Sequence, residues 1–295
     1  MNGLFQKLFS SKLQIPRELD EDSLPFPIGS GISVERYNSF IESKEISSYK
    51  FNYKNGTVYI AEMCTPEHEV VIEIIGDAFR ELCPRAIYGP RKDAPIQILG
   101  QPLHVMADGI SRGTDLAIGP HPRFVPNPPI PHPGPPPSDI RGNSYARVIV
   151  EVAVSQSSSD MKEKCRLWKR QSYVRSIIGI KLHRVFNTRD ASGNRHRAMT
   201  AILWRQGVAR RKWHFGTADK RGNRTNACNA ANDPNFIINI PVSDIFYDPP
   251  IPAIGYAGPL ALPIGALYNA NIQMNLRYKK LNYWFPKYNR LSYKL

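Results

Sequence analysis

Glu151 is the residue whose surroundings most clearly indicate chemistry. It lies inside an otherwise apolar, β-branched run at residues 148–154, a composition typical of a buried strand. A buried carboxylate is unfavourable unless it is paired with a positive charge or bound to a cation. A second acid, Asp115, begins another apolar stretch, and a charged helix predicted to begin at Asp160 carries Lys164. Two acids and a lysine on neighbouring elements suit metal-assisted hydrolysis of a phosphodiester.

Such hydrolysis requires an activated water, neutralisation of the phosphate and help for the leaving oxygen. Mg²⁺ or Mn²⁺ can supply all three, and both ions prefer carboxylate oxygens. Paired strands lie about 4.8 Å apart, so Asp115 and Glu151 can reach one ion if their strands are neighbours. We expect these two residues to bind the metal and Lys164 to orient the water. The alternatives are structural: Asp115 as a turn residue, Glu151 satisfied by an internal cation, and Lys164 solvated.

The elements that position these residues follow from patterns along the chain. Alternation in Tyr49–Tyr53 and Thr57–Ala61, around Asn55-Gly56, predicts a hairpin. A helix is predicted to begin at Pro66, with an apolar face formed by Val71, Ile74, Ile75, Ala78, Phe79 and Leu82. Further short strands are predicted at Ala86–Tyr88, Ile96–Leu99, Leu103–Met106, Asp115–Ile118, Ile177–Leu182 and Ala201–Trp204.

Ten prolines fall between Pro120 and Pro137, which excludes a helix or a central strand there. We interpret residues 119–144 as an exposed insertion that joins the Asp115 and Glu151 strands into a long hairpin. A partner that docks on polyproline is the alternative. The following helix is predicted to be capped by Asp160, with Glu163 completing a capping box, and to run to about Tyr173. Its inward stripe is Met161, Cys165 and Trp168.

The order of these motifs resembles the PD-(D/E)XK nuclease superfamily. More narrowly, it resembles a bacterial restriction endonuclease family with an acidic strand, a Glu-Val-x-x-Ser strand end and a lysine displaced to the following helix. The stretches that carry the resemblance are Gly113-Thr114-Asp115-Leu116-Ala117, Glu151-Val152-Ala153-Val154-Ser155 and Asp160 to Lys164. Glu62-Met63-Cys64-Thr65-Pro66-Glu67-His68 is similar to that family's entry to its first helix. The similarity extends over roughly Tyr49 to Phe186.

The resemblance implies an αβββαβ core, a magnesium-dependent nuclease site and DNA as the substrate class. It also implies assisting roles for Glu62 and His68, which could instead be a strand-flanking acid and a hydrogen-bonded histidine. The chain departs from the pattern at Thr114, where the family has proline, and at Ala153, where the short motif has lysine. Lys164 matches the displaced lysine, with Lys181 as a second candidate.

The composition favours an anionic partner. Lys and Arg number 39 against 25 Asp and Glu, a formal charge of +14. Candidate nucleic-acid contacts are Arg210, Arg211, Lys212, Lys279 and Lys280. Aromatic residues among these cations, including Trp204, Trp213 and Phe215, could stack on bases or face the core.

The four cysteines lack zinc-site spacing, the first residues do not resemble a signal peptide, and no apolar run is long enough to span a membrane. These features predict an intracellular protein of the cytoplasm or nucleus with reduced thiols.

The predicted fold is α/β, with a mixed central sheet flanked by helices. We expect a loosely held N-terminal arm over residues 1–45 with a short helix near Val34–Glu42, an endonuclease-like core over residues 46–190, and a basic, aromatic-rich extension over residues 191–295. The leading hypothesis is a metal-dependent nuclease acting on DNA. The alternatives are a non-catalytic nucleic-acid-binding protein of the same fold and a protein-interaction module that uses the proline-rich loop and basic tail. A homodimer is compatible with the sequence.

Overall fold

The computed structural model describes residues 19–42, 49–81, 95–125, 143–189, 193, 195–223, 234–248 and 260–263. The helices in these ranges are α1 (Val34–Glu42), α2 (Pro66–Glu81), α3 (Ser158–Lys169) and α4 (Val242–Ile245). The strands are β1 (Phe26–Gly29), β2 (Tyr49–Lys54), β3 (Thr57–Met63), β4 (Ile96–Gly100), β5 (Leu103–Val105), β6 (Ser111–Gly113), β7 (Leu116–Pro120), β8 (Val148–Ala153), β9 (Ser176–Arg189), β10 (Arg195–Arg205), β11 (Val208–Gly216), β12 (Ile237–Ile240) and β13 (Leu260–Pro263).

A six-stranded mixed sheet forms the centre of the fold, with the strand order β11-β10-β9-β8-β7-β4. Strands β8 and β9 are parallel, and the other neighbours are antiparallel. In chain order the core elements are α2, β4, β7, β8, α3 and β9, which is the predicted αβββαβ arrangement. The predicted α/β fold class is confirmed. The antiparallel pairing of β7 with β8 also confirms the expected long hairpin.

Two hydrophobic clusters cover the two faces of this sheet. On one face, Val148, Val150 and Val152 of β8 pack with residues of α2. On the other face, Ile149 and Ala153 pack with residues of α3. Since β8 is buried on both faces, its sequence is an apolar run without alternation, and Glu151 is the exception that the packing must accommodate.

A smaller sheet with the order β1-β3-β2 lies in the N-terminal part of the chain. The predicted hairpin around Asn55-Gly56 is confirmed by the pairing of β2 with β3. The helix predicted at Val34–Glu42 is confirmed as α1, whose Tyr37 and Phe40 are buried with Ile28 of β1. The described part of the predicted N-terminal arm is therefore packed.

The start of α3 corrects one prediction. Ser157, and not Asp160, is the N-cap, since its hydroxyl accepts the backbone N–H of Asp160 at 3.1 Å. Asp160 is instead the first-turn acid, and its carboxylate accepts a hydrogen bond from the Ser157 hydroxyl at 2.6 Å. The helix ends at Lys169 and not near Tyr173, with Arg170 as its C-cap. Met161, Cys165 and Trp168 form the predicted buried stripe.

The predicted division at residue 190 remains a prediction, although β10 and β11, from the predicted extension, hydrogen-bond into the sheet of the predicted core. The strand predicted at Ala86–Tyr88, the proline-rich residues 126–142 and the basic tail from residue 264 lie outside the described residues. Within the described ranges, no helix combines the length and the apolar character needed to cross a bilayer.

Candidate active site

Asp115 and Glu151 lie next to each other on paired strands. Leu116 of β7 pairs with Val150 of β8, so Asp115, directly before β7, lies beside Glu151. The Asp115 carboxylate accepts the backbone N–H of Val152 at 2.6 Å, which holds it against β8. Both acids are buried, with exposed fractions of 1% and 3%. The proximity expected from the sequence is therefore present.

Two side chains, Lys50 and His68, contact the Asp115 carboxylate directly, and two further acids contact those side chains. Lys50 of β2 donates a hydrogen bond to Oδ1 of Asp115 and contacts Nε2 of His68. The same Nε2 of His68 lies 3.2 Å from Oδ2 of Asp115, and Nδ1 of His68 lies 2.9 Å from the Glu69 carboxylate. Lys50 Nζ is also 3.6 Å from Glu62 Oε2. Elements β2, β3 and α2 thus all supply side chains to the start of β7.

Glu62 connects the small sheet to the end of β8. Its carboxylate is buried and accepts the backbone N–H of Val154. Cross-strand pairing places Lys50 opposite Glu62, after an irregularity between Lys50 and Phe51. A β-bulge of this kind redirects a side chain, and here it turns Lys50 toward the buried acids.

Glu151 is held by helix α3. Lys164 Nζ lies 2.8 Å from Oε2 of Glu151, and Nε1 of Trp168 donates to Oε1 at 2.6 Å. Lys164 and Trp168 are four residues apart, so they share one helix face over the sheet. Lys164 is therefore at the candidate site, as predicted from its position in the sequence. Trp168 was predicted only as a core residue, and its indole N–H proves to be a hydrogen-bond donor to the Glu151 carboxylate.

The two acids differ in their proton affinity. Burial and the neighbouring charge of Asp115 raise the pKa of Glu151 to about 7, against the opposing charge of Lys164. Burial would also raise the pKa of Asp115, but the charges of Lys50 and His68 outweigh burial and hold it well below its usual range. Asp115 is thus the ionised acid, and Glu151 is the acid that exchanges its proton near neutral pH.

The cations at the site remain protonated in spite of their burial. Burial alone lowers the pKa of Lys164, but the charges of Glu151 and Asp115 outweigh it and raise the pKa above its usual value. Burial likewise opposes protonation of His68, yet the charge of Asp115 raises its pKa to about 9. For Lys50 too, the pKa is raised, because Asp115 and Glu62 outweigh burial.

Lys181, the second candidate for the catalytic lysine, has a different set of contacts. Its ammonium donates to the backbone carbonyls of Val154 and Gln156, each at 2.6 Å. These bonds fix the segment that links β8 to α3. Lys181 thereby stabilises the turn that directs α3, and Lys164 with it, over Glu151.

The donor set suits a hard cation in chemical type, because Asp115, Glu151 and Glu62 offer carboxylate oxygens. Both oxygens of Asp115 and both of Glu151, however, already have protein donors. The described residues contain no group of three or more His, Cys, Asp or Glu side chains arranged to hold an ion. A divalent ion at Asp115 would therefore have to replace the Lys50 ammonium.

The predicted nucleic-acid contacts are only partly described. Arg210, Arg211 and Lys212 are exposed on β11, whereas Lys279 and Lys280 lie outside the described residues. Trp204, Trp213 and Phe215 are buried, so the idea that these rings stack on bases is wrong. On β11 the buried Trp213 and Phe215 alternate with the exposed Lys212 and His214, whereas β10, which carries Trp204, is buried along nearly its whole length.

The chain has little detectable similarity to known proteins. No family model matches the chain, and no curated protein matches it. Among solved structures, the chain is similar to a "putative nuclease belonging to DUF820" from Anabaena variabilis ATCC 29413, with 12% sequence identity and a TM-score of 0.45. The alignment covers 81% of this chain and 99% of that one. At this level the similarity concerns the general course of the chain and does not extend to individual residues.

Proposed function

We propose that this protein hydrolyses phosphodiester bonds in DNA at the cluster formed by Asp115, Glu151 and Lys164, with a bound divalent metal ion. One observation carries the proposal. Two buried carboxylates lie side by side on paired strands, and a helical lysine is bound to the second of them. Buried acids with strongly and oppositely shifted pKa values are typical of catalytic sites.

Asp115 and Glu151 would hold the metal, and a metal ion in such a site supplies an activated water and a Lewis acid for the phosphate oxygens. The remaining chemistry falls to the protein. Lys164 keeps its proton, so it contributes positive charge toward the scissile phosphate and cannot act as a general base. Its four-carbon chain lets the ammonium move from Glu151 to a phosphate oxygen.

His68 and Glu62 have positioning roles in this proposal. His68 is fixed between Asp115 and Glu69 and fills the space behind the first acid. Glu62 holds the end of β8 through the Val154 N–H, which keeps that strand in register with the site. Neither role requires contact with the substrate.

DNA is proposed as the substrate because the chain carries a formal charge of +14 and exposes a basic edge strand. The direct test is to incubate the full chain with supercoiled plasmid and Mg²⁺ or Mn²⁺, with EDTA as the control and a structured RNA as a parallel substrate. Nicking of plasmid that stops in EDTA supports the proposal. Cleavage of the RNA alone would contradict DNA as the substrate.

A second candidate function is nucleic-acid binding without cleavage. It is favoured by the hydrogen bonding at the site, because each oxygen of the Asp115 and Glu151 carboxylates already contacts a protein hydrogen-bond donor. Salt-sensitive DNA binding with no cleavage in any divalent metal would support this function over the first.

A further inference from the structure

Two rows of paired residues run across the central sheet from the candidate site toward its β11 edge. The first row consists of Glu151, Gly179, Ile202 and Lys212. The second row, two residues further along β8, consists of Ala153, Lys181, Thr200 and His214. Side chains paired across a sheet lie on the same face. Lys212 and His214 are therefore on the face that carries Glu151, three strand spacings or about 14 Å away.

Lysines from several elements meet on this part of the sheet, with two histidines among them. We define the cationic face as Lys162 of α3, Lys181 of β9, Lys212 of β11 and Lys220 after β11, together with the histidines His183 of β9 and His214 of β11. Within the described ranges, no carboxylate forms an ion pair with Lys162, Lys212 or Lys220. Arg211 lies between Lys212 and Arg210 on β11 but points to the opposite face, where its guanidinium lies over the Trp213 ring at 4.9 Å.

These cations repel one another. Burial lowers the pKa of Lys220, and the charges of Lys212 and Lys162 lower it further. Burial, together with the charges of Lys220 and Lys181, lowers the pKa of His183 to about 4, so this ring is uncharged at neutral pH. Lysines that destabilise one another, and that, like Lys162, Lys212 and Lys220, form no ion pair within the described ranges, make a surface that gains energy when an anion binds.

A hydrogen-bonded chain makes part of this face rigid. The Thr200 hydroxyl lies 2.9 Å from Nε2 of His183 and 3.2 Å from Nδ1 of His214. His214 is exposed, so this chain fixes the direction in which its ring meets the solvent. A preformed polar surface loses less side-chain entropy on binding than a set of mobile lysines does.

A cleft of about 700 Å³ lies beside the end of the cationic face that carries Lys181 and His183. Its lining also includes Thr65, Val154 and Ser155, and the carboxylates of Asp20, Asp22 and Glu67. Val154 is the residue whose N–H binds Glu62, and Thr65 accepts the backbone N–H of His68. The cleft therefore places the Lys181 end of the cationic face next to two residues that hold the candidate site in position.

We infer that the cationic face binds the phosphodiester backbone of the nucleic acid whose cleavage is proposed above, on one side of the scissile bond. The choice of a nucleic acid as the ligand rests on the proposed function. Lysines contributed by α3, β9 and β11 and spread across the sheet match a linear polyanion better than a single small anion. Lysines on an edge strand also prevent sheet-to-sheet aggregation, and that role alone would predict no nucleic-acid affinity at this face.

The test is fluorescence anisotropy of a labelled DNA oligonucleotide with the full chain in EDTA, so that binding is measured without cleavage. The variant Lys212→Ala/Lys220→Ala removes two cations of the face. Arg211→Ala is the matched control, because it removes a cation from the same strand on the opposite face. Each lost phosphate contact lowers the slope of log Kd against log salt by about 1, so the double variant should lower it by about 2. The control should leave it unchanged.

An equal salt slope in the wild type and the double variant overturns the inference. A decrease of the slope in the Arg211→Ala control as large as that in the double variant also overturns it. Binding of the wild type to phosphatidylserine vesicles in preference to DNA would overturn it in favour of a membrane surface. The inference and the proposed function fail separately. If the double variant binds DNA normally and metal-dependent cleavage is intact, only the inference about the cationic face is contradicted. If the double variant binds DNA less well but the protein never cleaves it, only the proposed hydrolysis is contradicted.

Discussion

Lys50 and Asp115 form a buried ion pair at the position where a metal ion is expected. Only 13% of the Lys50 side chain and 2% of the Asp115 side chain are exposed, and the ammonium also lies near Glu62. A tethered ammonium between two carboxylates is a monovalent substitute for a divalent ion. Lys50 thus stabilises the site without metal, and it would compete with a bound metal ion for the same oxygens.

Replacing Lys50 with methionine should therefore tighten the binding of divalent metal. The methionine keeps the length and apolar stem of lysine and removes the charge. The negative charges of Asp115 and Glu62 are then no longer balanced by the Lys50 ammonium. We expect Mn²⁺ affinity, measured by calorimetry, to rise by at least about tenfold, or about 1.4 kcal/mol. Lys54→Met, an exposed position on the same strand, is the control and should bind Mn²⁺ as the wild type does.

Thermal unfolding gives a second measurement on the same variant. Removing one partner of a buried ion pair costs about 3–5 kcal/mol, so Lys50→Met should unfold at lower temperature in EDTA. Added Mn²⁺ should restore more stability to the variant than to the wild type. If the variant gains neither affinity nor stability from Mn²⁺, Lys50 does not occupy a cation position.

Gly179 should be required for the packing of α3. A Cβ at this position would lie 3.0 Å from the Trp204 ring, 3.3 Å from Cys165 Sγ and 3.4 Å from Met161 Cε. Gly179→Ala would force α3 away from the sheet at a cost of about 1–3 kcal/mol, measured by urea unfolding. Gly100→Ala on β4, where a Cβ meets no atom within 4 Å, is the control. Equal stabilities of the two variants would show that α3 packs less closely than described.

The proton of Glu151 should be visible at Trp168. Because the indole N–H donates to Glu151, its proton resonance should move upfield as the carboxylate is protonated, with a midpoint near pH 7 in EDTA. Glu151→Gln should abolish that titration, and Trp168→Phe should identify the resonance. An indole resonance that stays constant between about pH 5 and 9 would contradict a raised pKa at Glu151.

The same shift predicts a pH dependence of stability. The pKa of Glu151 is higher in the folded chain than its ordinary value near 4.5, so folding favours the protonated acid. Its stabilising contribution is complete below about pH 4.5 and is lost as pH rises through about 7. In EDTA, the wild type should therefore lose stability relative to Glu151→Gln between pH 5 and 8. A difference that stays constant over this range would contradict the assignment.

The sequence predicted the elements that carry the acids, because the patterns around them are local. The apolar run around Glu151, the hairpin at Asn55-Gly56 and the stripe beside Lys164 each depend on residues close in sequence. Lys50 was missed because regular pairing from the turn would place it opposite Ala61. The irregularity in β2 moves it opposite Glu62, and no local signal marks that shift. The role of Trp168 was missed because a buried aromatic ring satisfies the core pattern whether or not its N–H has a partner.

The N-cap of α3 could not be predicted because several neighbouring residues are suitable caps. Ser157, Ser158, Ser159 and Asp160 are all good N-caps by type, so composition alone does not choose among them. The choice of Ser157 follows from its extended backbone, with φ −63° and ψ 154°, as the chain leaves β8. Tertiary packing of β8 thus determines the helix start.

The central claim is that Asp115, Glu151 and Lys164 together cleave DNA. The most direct measurement is the single-turnover rate of cleavage of a labelled duplex by full-length wild type, Asp115→Asn, Glu151→Gln and Lys164→Ala, with Mg²⁺ and with EDTA. Arg80→Ala, an exposed position on α2, serves as the surface control. Each site variant should cleave at least about 100-fold more slowly, while the control matches the wild type and EDTA stops all cleavage. Cleavage that survives in Asp115→Asn and Glu151→Gln at the wild-type rate would contradict the claim.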